Sequence, residues 1–356
     1  MPIHPSLFGL ENTNKDFSLE ENWGKNQFNN TFPTSLACYM GSKNIDPVYL
    51  CMGNEKKIIH RKITIVDLFG LPPLSPDLLF FFEGSYSPFF PLVVEGLEGV
   101  DLITSNNKTL EQLRCLEIKL TAIPDNTTVN SRGENQGSEI VVRPQTISYA
   151  ALSIASSFTS EPDKKYLKDL LRPIDALIPD WADPENIRPH IDDMVNALKT
   201  LCVYKLDNQK PLLLQSIWRT QGNLSILSDN CFDIFVWSDF GFLNMFADCA
   251  ISSSTHRISR HARTVCWLTK MLLDFAVNGK IHPRKIQDLY TYNTRNDKAF
   301  AVSGLVTNPI MKCEELTTPR IKKSALKEII LGNGQKLLKP ERRLDAAILS
   351  TPGLFD

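Results

Sequence analysis

The chain predicts an α/β fold of the mixed α+β kind: a central mixed sheet flanked by helices, with a large C-terminal elaboration. Three observations carry that expectation. Leu116-Glu117-Ile118-Lys119-Leu120 alternates apolar and charged residues, the pattern of a half-buried strand. Gln145 to Ala155 places Ile147, Ala151 and Ile154 on one helical stripe. Cys231 to Trp237 is dense in aromatic and branched residues, which favour strands.

Taken in order, Leu92 to Ile103 reads as strand material interrupted by glycines, with Asp101 near its end. Asn106-Asn107-Lys108 is turn-like and returns the chain toward Leu116. Ser131 to Gly137 is a polar loop, and Glu139 to Pro144 a short strand-like run closed by proline. The small residues of the Gln145–Ala155 helix suit close packing on a sheet. Glu161 to Pro189 carries Pro162, Pro173, Pro179, Pro184 and Pro189 among many charges, and is expected to be a surface connection with short helices. His190 to Leu206 and Pro211 to Arg219 read as helical. Thr264 to Val277 reads as an apolar helix closing at Asn278-Gly279.

The chemistry lies in Asp101 and the Glu117-Ile118-Lys119 triplet. A strand period of two puts Glu117 and Lys119 on one face. The turn between the two runs brings Asp101 to face Glu117. Two carboxylates on one face repel unless a cation sits between them. Magnesium accepts oxygen ligands and takes one or two carboxylates, with water and phosphate filling the remainder. Asp101, Glu117 and the Ile118 backbone carbonyl form the candidate ligand set. Glu83, in Phe81-Phe82-Glu83-Gly84, is preferred over Glu95 and Glu98 as a further carboxylate. Lys119 is placed to orient an attacking water or to stabilise developing negative charge. The spacing D-x(15)-E-x-K is that of the PD-(D/E)xK nucleases. An E-x-K triplet on its own is more often a solvated strand face.

A chain of 356 residues with 42% hydrophobic residues has room for a large core. No apolar run is long enough to span a membrane, and Met1 to Leu10 lacks the pattern of a secretory leader. The eight cysteines are dispersed without a C-x-x-C pair, and six histidines show no zinc spacing. A reduced, bacterial cytoplasmic setting is expected. The net charge of −1 argues against a general DNA coater but not against a site-specific enzyme with a locally basic cleft.

Basic residues do cluster. Arg132 and Arg143 are either phosphate or guanine contacts or exposed loop arginines. Arg257, Arg260 and Arg263 lie in a hydroxyl-rich entry to the Thr264 helix and suit phosphate contacts, or else form a solvated helix face. Asn293 and Arg295 are candidates for base edges, or part of a polar loop. Leu316 to Arg343 is basic again. No Walker A loop and no methyltransferase motif is present.

The Asp101/Glu117-x-Lys119 arrangement followed by SEIVVRPQTISYAALSIA resembles the type II restriction endonucleases of the HindVP group. The opening MPIHPSLFGLENTNKDFSLEENWGKNQFNNTFPTSLACYM and the TYNTRNDKAFAVSG segment resemble them too, so the likeness covers most of the chain. Val100 stands where many relatives of the superfamily have proline. The resemblance implies a magnesium-dependent homodimer cutting both strands of double-stranded DNA at a short palindrome, GRCGYC. It also implies a separate methyltransferase protecting the same site. The expected organisation is a catalytic core with an N-terminal arm over residues 1–160, a proline-rich connection over 161–189, and a recognition and dimerisation region over 190–356 that can pack with the core. The rivals are a repair or mobile-element nuclease on the same core, and a DNA-binding regulator without catalysis.

Overall fold

The computed structural model describes residues 25–54, 57–73, 75–119, 140–216, 218–221, 224–227, 234–251, 258–294 and 300–302. In chain order these form α1 (Lys25–Ser42), β1 (Val48–Met52), β2 (Ile58–Lys62), α2 (Ile65–Phe69) and β3 (Leu78–Gly84). A 3-10 turn at Ser87–Leu92 precedes β4 (Val100–Asn106) and β5 (Gln112–Lys119). Then come β6 (Ile140–Val142), α3 (Pro144–Ala155), α4 (Glu161–Leu177), α5 (Pro184–Ile187) and α6 (Ile191–Tyr204). Strands β7 (Pro211–Ser216), β8 (Trp218–Gln221), β9 (Leu224–Leu227) and β10 (Ile234–Ser238) follow. The described part ends with α7 (Asp239–Ile251), α8 (Arg260–Asn278), α9 (Pro283–Leu289) and β11 (Phe300–Val302).

Seven strands make one mixed sheet in the order β2-β1-β10-β7-β5-β4-β3. The pairs β1·β10 and β5·β7 are parallel and the others antiparallel. Helices cover both faces. On one side α3, α7 and α8 enclose a core that includes Leu213, Trp237, Cys115 and Ile103. On the other side α1 and α2 close over Leu116, Ile118, Leu214 and Val236. The expected α/β architecture with a flanked mixed sheet is what the chain adopts.

Burial on both faces explains the one element read with the wrong period. Pro211 to Arg219 is not helical: Leu212, Leu213 and Leu214 form the middle of β7, each 1% exposed or less. A strand covered on both sides needs no polar alternation, so its run of leucines has no period to read. The strand expected over Leu92 to Ile103 begins only at Val100, because the residues before it follow the 3-10 turn and Val93 makes an isolated bridge to Ile281. Glu161 to Pro189 forms a longer helix than expected. Its 17-residue α4 buries Leu167 and Leu171 against α8. Helix α8 starts before Thr264, since the Ser259 hydroxyl accepts the Ala262 N–H at 3.1 Å and caps it. It ends at Gly279, whose φ of 72° suits a residue without a Cβ.

Candidate active site

Strands β4 and β5 pair antiparallel with Leu102 opposite Leu116 and Ile103 opposite Cys115. One more step of that register sets Asp101 opposite Glu117. On the other side of β4, Phe82 faces Leu102 and Gly84 faces Val100, so Glu83 stands level with Asp101. Three acids therefore occupy one row across three neighbouring strands. Glu83 is exposed and has a φ of 58°, a strained backbone for a residue with a side chain. The close approach beneath it requires Gly99, where a Cβ would lie 2.9 Å from the Glu83 carbonyl oxygen.

Asp101 is half-buried, and its Oδ2 accepts the Ile118 N–H at 2.7 Å. The carboxylate is thereby tied to the strand that carries Glu117. Glu117 is 2% exposed, on the face that α3 covers. Its Oε1 accepts a hydrogen bond from the Thr146 hydroxyl at 3.0 Å. Thr146 lies in the first turn of α3, so the positive end of the helix faces the carboxylate. On the far side of β5, the parallel register pairs Glu117 with Leu213 and Lys119 with Gln215. Gln215 is fully buried, and the Trp237 indole N–H donates to its Oε1 at 3.4 Å.

Thr146 and Gln215 were not singled out by the sequence. The signal for Thr146 was its place two residues after Pro144, at the start of a predicted helix. Gln215 had a weaker one, a lone polar residue ending an apolar run.

The donor set suits a hard cation. Asp101, Glu117 and the Ile118 carbonyl offer only oxygen. Cys115, on the same face, is held neutral: burial first, and the nearby Glu117 charge second, push its thiol far above the ordinary range. Among the described residues no group of three His, Cys, Asp or Glu side chains is placed to hold a metal ion.

The family model for the HindVP restriction endonuclease matches residues 23–355. The chain belongs to the HindVP restriction endonuclease family. It is similar to the type II restriction enzyme HgiDI of Herpetosiphon aurantiacus, with 48% identity over 352 residues, covering 99% of this chain and 97% of that protein. It is also similar to the probable type II restriction enzyme HindVP of Haemophilus influenzae, with 42% identity over 356 residues, covering 100% of this chain and 96% of that one. No solved structure matches. As a member of this family the chain is a type II restriction endodeoxyribonuclease.

The HindVP-family chain distributes its candidate DNA contacts unevenly. Arg143 is exposed and precedes α3, bordering a cleft of about 420 Å³ lined also by Gln145, Tyr149, Arg284 and Gln287. That cleft adjoins the acids: the Gln145 amide donates to the Gly99 carbonyl at 3.3 Å and the Tyr149 hydroxyl to the Glu98 carbonyl at 2.8 Å. Glu98 lies 3.7 Å from Arg284, and Glu95 accepts the Arg284 N–H at 2.7 Å, so both serve the cleft wall. Arg260 is half-buried and Asn293 exposed, with a φ of 56°.

Arg263 corrects the sequence reading. It is fully buried, with its guanidinium over the Trp267 ring at 4.5 Å and Nη1 donating to the Thr294 carbonyl at 3.2 Å. Its place four residues into α8 turns it toward the core, so it holds Thr294 rather than a phosphate. Arg132, Arg257, Arg295 and the Leu316–Arg343 segment lie outside the described residues. No described helix is long and apolar enough to cross a membrane.

Proposed function

We propose that this chain hydrolyses both strands of double-stranded DNA at a short palindrome, GRCGYC, with Mg²⁺ held by Asp101, Glu117 and the Ile118 carbonyl. The observation that carries the proposal is the register that sets Asp101 opposite Glu117, with the Ile118 N–H bonded to Asp101. A bound divalent cation neutralises the scissile phosphate and makes its bound water more acidic. Asp101 and Glu117 supply the negative charge that retains the cation. The Thr146 hydroxyl donates to one Glu117 oxygen and so helps to orient the carboxylate. Lys119 stands next on the strand, where an ammonium orients the attacking water and offsets charge growing on the phosphate. One P–O bond forms from water as the P–O bond to the leaving sugar oxygen breaks. Glu83 is the reserve carboxylate at the open end of the row.

The likeness to HgiDI and HindVP supports the site-specific reading. A palindrome is met symmetrically by a homodimer, and a bacterial cytoplasm holding such an enzyme needs a separate methyltransferase for the same site. Residues 1–160 would supply the chemistry and 190–356 recognition and dimer contacts, joined through 161–189.

The test is plasmid cleavage with Mg²⁺. Discrete fragments are expected. A smear would point to a repair-type nuclease, and intact but retarded DNA to a regulator. Asp101→Ala and Glu117→Ala should each lower the rate by several orders of magnitude while sparing DNA binding in Ca²⁺. Either variant cutting near the wild-type rate removes the site assignment.

A further inference from the structure

We propose that Lys62, at the end of strand β2, holds a backbone phosphate of the duplex outside the sequence that is read, so that the enzyme grips the DNA flanking its site. The proposal rests on the nuclease reading above and adds to it a contact that is blind to sequence.

The strand registers give the placement. Glu117 is opposite Leu213 on β7, Leu213 opposite Trp237 on β10, Trp237 opposite Leu50 on β1, and Leu50 opposite His60 on β2. Two residues further on, the row from Lys119 runs through Gln215, Phe235 and Val48 to Lys62. Residues paired across a sheet project to the same face. Lys62 therefore belongs to the face of the acids, level with Lys119 at the end of β5. Arg61 alternates to the opposite face, where its Nε donates to Cys51 Sγ at 2.9 Å.

Four strand spacings separate Lys119 from Lys62, roughly 19 Å. Phe235 and Val48 between them are buried, whereas Lys62 is exposed. A duplex that touches the acids and lies along this rim reaches Lys62 after about five or six phosphates of one strand, at roughly 3.4 Å of axis for each. The palindrome proposed above is cut within its own length, so that phosphate falls at its edge or beyond it.

Charge selects the partner. Lys43, exposed shortly before β1, adds a second cation to this corner. Of the described acids nearest in the chain, Asp46 is half-buried. Asp67 is engaged in capping α2, where its Oδ2 accepts the Thr64 N–H at 2.9 Å and the Thr64 hydroxyl at 2.8 Å. A lysine is a point charge on a flexible stem and meets a phosphate without demanding one orientation. Lysines on outer strands also serve to block pairing with another chain, a role that needs charge but no DNA. The experiment separates the two.

The full chain first digests a library of randomised duplexes in Mg²⁺, and the cut sites are sequenced. The selected sequence is then placed in duplexes with flanks of about two and about ten base pairs, short and long against the span above. Affinity in Ca²⁺ is measured at two salt concentrations for wild type, Lys62→Ala, Lys62→Arg and Lys57→Ala. Lys57 is exposed at the opposite end of β2 and serves as the control for net charge. Thermal melting and light scattering follow folding and association.

On the long flanks Lys62→Ala should lose roughly 4- to 8-fold for each contact at 0.1–0.2 M salt, and its salt slope should fall by about one unit per contact. On the short flanks it should lose far less, Lys62→Arg should keep most of the affinity, and Lys57→Ala should match wild type. Equal losses on both flank lengths, an equal loss in Lys57→Ala, or unchanged affinity and slope on the long flanks would each overturn the proposal. A Lys62→Ala chain that binds normally but self-associates would make the lysine a guard of the sheet edge instead. A wild-type chain that leaves the library uncut fails at the earlier step, and removes the nuclease reading with it.

Discussion

Thr146 shows how much of the site is set by a single hydroxyl. It donates to Glu117 Oε1 at 3.0 Å from the first turn of α3, and both residues are buried. Partners that orient a metal-binding carboxylate typically matter by 10- to 100-fold when lost. Thr146→Val, which keeps the shape and removes the donor, should lower single-turnover cleavage by about that factor and raise the Mg²⁺ concentration needed. Thr146→Ser should restore most of the activity. Equal rates for the two variants would mean that Glu117 is held by other groups. Lys119 allows a companion measurement. Lys119→Arg should lose most turnover, because a planar fork does not replace a point charge, while retained activity would reduce the lysine to a strand residue. Strand β5 and its pairing with β4 were legible in the sequence because an alternating run declares its faces and a turn precedes it. Thr146 and Gln215 were not, since each reaches the site through a pairing between elements distant in the chain, 29 residues apart for Thr146 and Glu117.

Elements show the same division. Helix α3 could be read from its apolar stripe of Ile147, Ala151 and Ile154, and strand β5 from its alternation of apolar and charged residues. Helix α3 in fact buries every residue from Thr146 to Ala155, well beyond the predicted stripe. Strand β7 could not be read, as its leucines are covered on both sides. Helix α8 was legible at its C-terminal end but not at its start, where Ser259 caps a turn that carries Arg260 and Arg263. A basic segment there looked like a phosphate contact. In the fold, Arg263 lies under the surface, stacked on Trp267 and bonded to Thr294. Arg263→Ala should therefore cost roughly 2–4 kcal/mol of stability, from lost packing, a cation–π contact and hydrogen bonds. It should leave the salt dependence of DNA binding unchanged, because that slope counts phosphate contacts. Urea melts and a salt titration decide it: a slope lower by about one unit with full stability would return Arg263 to the DNA surface.

Across the whole molecule, α3 couples the site to the centre of the sheet. Its first turn holds Glu117 through Thr146, and Ser153, roughly 10 Å further along the axis, donates to Asp239 Oδ2 at 3.0 Å. Asp239 also accepts the Lys210 N–H at 3.0 Å and the Phe240 N–H at 2.9 Å, so it ties together the start of β7, the start of α7 and α3. Burial pushes its carboxyl up to about 6 despite these donors. The folded chain then keeps a proton that the unfolded chain releases near 3.8. The stabilising contribution is complete below the unfolded value and is lost as pH rises through about 6. For a shift of this size the loss between roughly pH 4.5 and pH 7.5 is about 2 kcal/mol. Asp239→Asn has no proton to release. The stability of wild type minus that of the variant, from urea melts across this range, should therefore fall by about that amount as pH rises. A difference that stays flat with pH would show that Asp239 is ionised throughout in the fold, with Lys210 and the backbone donors outweighing its burial.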